Sequence, residues 1–89
     1  MRIISEFEIV KMADNYILVP VGDQIDKFNG TVVLNETSAF LIEKLRNNRT
    51  IDELIGLLID EFDVSYEIAQ IDVKAFIEKI HRIGIMIDG

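Results

Sequence analysis

Three helices in the second half of this chain carry their own start signals. Asn35 stands directly before Glu36 and an apolar run. An Asn there accepts from an orphan backbone N–H, and an acid in the first turn suits the positive helix end. Thr50 and Glu53 have the spacing of a capping box, in which two backbone donors are satisfied reciprocally. Ser65, followed by Glu67, opens a third helix in the same way. Gly84 sits where a helix ends in a left-handed residue. These signals set helices over about 36–48, 51–62 and 66–83.

Apolar spacing supports all three. Ala39, Phe40, Ile42 and Leu45 form one face of the first, with Leu41 nearby. Leu54, Leu57, Leu58 and Phe62 recur along the second. Ala69, Val73, Phe76, Ile77, Ile80 and Ile83 make a continuous stripe on the third. Ile68, Ile71, Asp72, Ala75 and Lys79 lie on a mixed face beside that stripe. One local conflict stands out: Asp60, Glu61 and Asp63 crowd the end of the second helix, where the dipole disfavours acids.

The first third reads as strands, over about residues 6–34. Residues 7–12 mix apolar and charged positions, Ala13-Asp14-Asn15 is a turn signal, and residues 16–21 are β-rich. Together they predict a hairpin, with Pro20 at a strand end or edge because it cannot donate to a ladder. A polar connection, Gly22 to Asn29, leads to a third strand at Gly30-Thr31-Val32-Val33-Leu34. Ile85-Met86-Ile87 can add a short strand after the last helix. Three short strands must bury one face against helices. The expected fold is α+β and winged-helix-like: a three-stranded antiparallel sheet followed by three helices, in one domain over 1–89.

Composition narrows the function. No cysteine is present, which removes disulfides, thiolate metal sites and thiol catalysis. No apolar run approaches the ~18 residues needed to span a bilayer, and the first residues lack a signal-peptide core. The expectation is a soluble, cytoplasmic protein without membrane partners. The formal charge is −7, and residues 50–89 hold nine acids against three bases. That acidic helical half repels phosphate backbones, or simply keeps a small protein soluble.

Chemistry is sparse. His81 has no companions at metal-ligand spacing, and neighbouring carboxylates such as Asp52 and Glu53 diverge on a helix. The glycines at 22, 30, 56, 84 and 89 form no phosphate loop, and the serines lack a histidine partner. No enzyme activity, metal or cofactor is expected. For DNA, the third helix offers Lys74, Lys79 and Arg82 against Glu67, Asp72 and Glu78, and the densest basic spot is Arg46 with Arg49. A winged-helix DNA-binding regulator is therefore the alternative reading rather than the first one, and a self-associating scaffold subunit is another.

The order of these segments resembles a known family. Leu34-Asn35-Glu36-Thr37 leads into a helix with Phe40 and Leu45, followed by Arg49-Thr50 with Glu53-Leu54. Glu61-Phe62-Asp63-Val64, Asp72-Val73, Phe76-Ile77 and Ile83-Gly84-Ile85 complete the pattern. It is similar to the PqqD family, the recognition elements of ribosomally made, post-translationally modified peptides. Ser38 stands where relatives often have glycine, and Ile85 where they often have leucine.

The resemblance implies a non-catalytic accessory protein. Its partners would be the leader segment of a precursor peptide and a modifying enzyme, often a radical enzyme. The receiving edge would be Thr31, Val32, Val33 and Leu34, with Ile68, Asp72, Ala75, Phe76 and Lys79 lining the opposite wall. The physics is compatible, because a sheet edge displays unpaired N–H and C=O groups and a guest can add as a strand. A proline at Val32 tests whether its N–H faces the guest. The same edge can accept another copy of the chain, giving a monomer or a dimer.

Overall fold

The computed structural model describes residues 1–4, 6–22, 32–85 and 87–88. The polar stretch 23–29, the strand positions Gly30 and Thr31, and Met86 lie outside the described residues.

The described chain runs β1 (Arg2–Ile3), β2 (Phe7–Met12), β3 (Asn15–Pro20), β4 (Val32–Leu34), α1 (Glu36–Lys44), α2 (Ile51–Phe62), α3 (Tyr66–Arg82) and β5 (Ile87–Asp88). It is an α+β structure. Strands β2, β3 and β4 form an antiparallel sheet in that order, and the three helices follow it in sequence. β1 and β5 form a separate antiparallel pair, with Arg2 opposite Asp88 and Ile3 opposite Ile87. The late strand thus falls at Ile87–Asp88, and its partner Arg2–Ile3 carries no strand signal of its own.

Local chemistry sets each helix start. The Asn35 side chain accepts from the Ser38 N–H at 2.8 Å. The Thr50–Glu53 capping box is complete, with both bonds at 3.0 Å. The Ser65 hydroxyl accepts from the Ile68 N–H at 3.2 Å. At the end of α3, Gly84 has φ +90° and its N–H reaches His81, while the Ile85 N–H reaches Ile80. That paired closure is a Schellman motif.

α1 stops at Lys44, short of the expected 48. Just past that end the Leu45 carbonyl accepts from the Ile3 N–H at 2.9 Å, so this orphan helix-end acceptor is met by β1. The Arg49 N–H likewise donates to the Met1 carbonyl at 2.8 Å, stitching β1 to the α1–α2 connection.

The core lies between the sheet and the helices. Leu34, Leu41, Ile42, Leu45, Leu54, Leu58, Val73 and Ile80 are its largest fully buried members. Each contributes roughly 1.5–3 kcal/mol by leaving water. Leu41, at 0% exposure, and Ile55, at 3%, are more deeply buried than helical spacing alone indicates, whereas Leu57 and Phe62 are half-buried. Phe62 instead packs edge-on against Phe40, with ring centroids 5.3 Å apart.

The hairpin turn fixes which backbone groups face outward. Met12 pairs with Asn15, so the turn is the two residues Ala13-Asp14, with Asn15 already in β3. Residues flanking a two-residue turn exchange hydrogen bonds, and bonded pairs then alternate along the ladder. By that count Val10 bonds Ile17 and Glu8 bonds Val19. The 3.2 Å bond from the Val21 N–H to the Glu6 carbonyl keeps the same phase. Ile17 therefore spends its backbone groups on β2, and Val33 opposite it turns its own away from β3. Val32 and Leu34, opposite Leu18 and Tyr16, bond inward.

Candidate functional site

Among the described residues β4 is an edge strand, and its middle residue Val33 presents an N–H and a carbonyl on the side away from β3. α3 closes in on this edge. Lys79 Nζ donates to the Val33 carbonyl oxygen at 3.3 Å, across 46 residues of sequence. A lysine from outside the sheet reaches that oxygen because the ladder has left it free.

Beside this contact a cavity of about 190 Å³ opens between the start of α1 and α3. Asp72, Ala75, Phe76 and Lys79 line it from α3, and Asn35, Thr37 and Ser38 from α1. The helical repeat explains the α3 set, because residues 72, 75, 76 and 79 share one face. Ala75 is exposed and small, which leaves room for close approach, and Asp72 and Lys79 are half-buried at opposite ends of the wall.

The expected site residues divide into groups. Asp72, Ala75, Phe76 and Lys79 come together in the cavity, and Lys79 ties them to Val33. Ile68 is 51% exposed but lies outside the lining. Phe76 is 3% exposed, so most of its ring belongs to the core and only part of it meets the cavity. Leu34 is fully buried, so its side chain serves the core. Val32 is half-buried, and its backbone is used inside the sheet. Thr31 lies outside the described residues.

Asn35, Thr37 and Ser38 were not among the expected site residues. The Asn35 signal is absorbed by its capping role, and Ser38 is a buried serine.

Two larger clefts lie elsewhere. One, about 450 Å³, is bounded by β1, the start of β2 and Arg46, and mixes Arg2 and Arg46 with Glu6 and Glu8. Arg46 there donates to the Phe7 carbonyl at 3.4 Å, so the opposite sheet edge also has a carbonyl met by a cation. The other, about 310 Å³, lies between the sheet and the Phe40–Phe62 pair. Neither adjoins the outward groups of β4.

Among the described residues, no group of three or more His, Cys, Asp or Glu side chains could hold a metal ion. None of their helices is long and apolar enough to cross a membrane.

A family model described as Coenzyme PQQ synthesis protein D (PqqD) matches residues 15–86, from the first residue of β3 past the end of α3. The chain belongs to the PqqD family. Members of the PqqD family are recognition elements for ribosomally made and modified peptides. The family consists of non-catalytic accessory proteins, working with a peptide and a modifying enzyme in PQQ synthesis. No curated protein and no solved structure matches the chain.

Proposed function

We propose that this chain is a non-catalytic, single-domain peptide holder of winged-helix-like build. It binds the leader segment of a ribosomally made precursor by strand addition and presents it to a modifying enzyme. The observation that carries this reading is the outward N–H and carbonyl of Val33 beside the Asp72–Lys79 wall, in a chain of the PqqD family.

A guest strand along β4 gains backbone hydrogen bonds from Val33. Its alternate side chains point to the two faces of the sheet, so every second one meets α3 or the cavity. Asp72, Ala75 and Lys79 then select guest side chains by charge and size. Leu34 and most of Phe76 act indirectly, by holding β4 and α3 at a fixed separation. Edge backbone groups recognise any extended peptide, so selectivity rests on the α3 wall.

Fluorescence anisotropy of a labelled leader peptide, taken from any short precursor found encoded beside this chain, tests the proposal. Saturable binding that changes little with salt is expected. Binding to duplex DNA that falls steeply with salt would favour the regulator reading. A rise in light-scattering mass with concentration, without leader binding, would favour the scaffold.

A further inference from the structure

We propose that Lys79 is a carboxylate-reading residue of this edge, held in place before the guest arrives by the Val33 carbonyl. The inference deepens the peptide-holding reading and rests on it. It starts from the partner Lys79 has. An ammonium carries three donors and a full charge. Among the described residues it has one hydrogen bond, to a neutral carbonyl, and no ion pair. Its neighbours three and four positions away on α3 are Ala75, Phe76, Arg82 and Ile83, none of them acidic. Asp72 lies two turns away, about 10 Å along the helix axis. Lys79 is half-buried and its charge is matched by nothing on its own helix.

The Val33 carbonyl is the acceptor that an added strand needs. A guest N–H arriving there competes with the lysine for the same oxygen. The lysine stem is long and flexible, and its head is left beside the guest with no paired anion among the described residues. A guest carboxylate on the side facing α3 satisfies it, and a guest amide of equal shape does so less well. The site therefore distinguishes acidic from neutral peptides at the position next to Val33, although the chain as a whole carries −7 and repels acidic peptides at long range.

The test uses the whole protein and the synthetic leader of any short precursor found encoded beside it, alone and with each Asp or Glu changed singly to Asn or Gln. With the unmodified protein, one such change is expected to weaken binding about two- to fivefold, as for a partly exposed ion pair. In Lys79→Met that same change is expected to make no difference. A second arm needs no guest: Lys79→Met should move the Val33 carbonyl ¹³C resonance while resonances remote from β4 and α3 stay in place.

A leader that binds with no dependence on any carboxylate, or a dependence that survives in Lys79→Met, overturns the role of Lys79 and leaves the peptide-holding reading intact. An unmoved Val33 carbonyl also overturns it. A leader that does not bind at all removes both.

Discussion

Lys79 Nζ sits 3.3 Å from the carbonyl oxygen of Val33, joining the longest helix to the edge of the sheet. The contact marks the single described residue of β4 whose backbone is turned outward. Strand phase and helix packing were set by different parts of the sequence, the first by the two-residue turn at Ala13-Asp14 and the second by the apolar stripe of α3. They converge at this point.

The phase of the ladder separates two neighbouring prolines. Val33→Pro removes an outward N–H and leaves the β3–β4 bonds intact. It is expected to weaken leader binding about three- to tenfold, the worth of one hydrogen bond, with little change in stability. Val32→Pro removes an N–H that faces Leu18, and should cost about 1–3 kcal/mol of stability through the unpaired group left behind. Urea unfolding alongside anisotropy separates the two effects. On the proposed reading, Val33 is the member of the expected 31–34 edge whose N–H is open to a guest, and Val32 is not.

Asp63 ends α2 with φ +52°, a left-handed conformation that costs an L-residue with a side chain. Its charge also meets the negative end of the helix, together with Asp60 and Glu61. Asp63→Gly relieves both. Stability should rise by about 0.5–1 kcal/mol, read as a higher urea midpoint with an unchanged slope.

Gly84 is the opposite case. Its φ is +90°, and a Cβ added there meets no atom within 4 Å. The expected cost of Gly84→Ala is therefore conformational rather than steric, about 1 kcal/mol or slightly more. Thermal unfolding should show the loss, and the Ile85 amide should exchange faster if the Schellman closure loosens.

Glu53 gives stability a pH dependence. The Thr50 backbone N–H donates to its carboxylate, the Thr50 hydroxyl adds to this, and its pKa is held below the ordinary value. A depressed folded-state pKa adds stability that is complete above the unfolded-state pKa. That stability is lost as pH falls through the folded one. Glu53→Gln should therefore lose less stability than the parent between neutral pH and pH values below that folded pKa. Thr50→Ala, which removes the cap itself, should cost about 1 kcal/mol at neutral pH.

The helices were legible because their signals are local. Asn35, Thr50, Ser65 and Gly84 each act within four residues, so spacing alone identifies them. The β1–β5 pair was illegible for the opposite reason: Arg2 meets Asp88 across nearly the whole chain, and two-residue strands have no periodicity to read. The depth of Leu41 and Ile55 depends on how α1 and α2 are rotated against their neighbours, which a single helix does not encode. At the candidate site, the α3 wall was visible as a mixed face. The Lys79–Val33 bond was not, because it needs both the strand phase and the helix position.

On the proposed reading, a leader peptide adds to β4 at Val33. Titrating ¹⁵N-labelled protein with the leader of any short precursor found encoded beside this chain, and following amide shifts, locates the added strand. The Val33 amide is expected to move downfield on gaining an acceptor, with further shifts along residues 72–79. Shifts confined to the Phe40–Phe62 cleft or to the β2 edge, with Val33 unmoved, would contradict it.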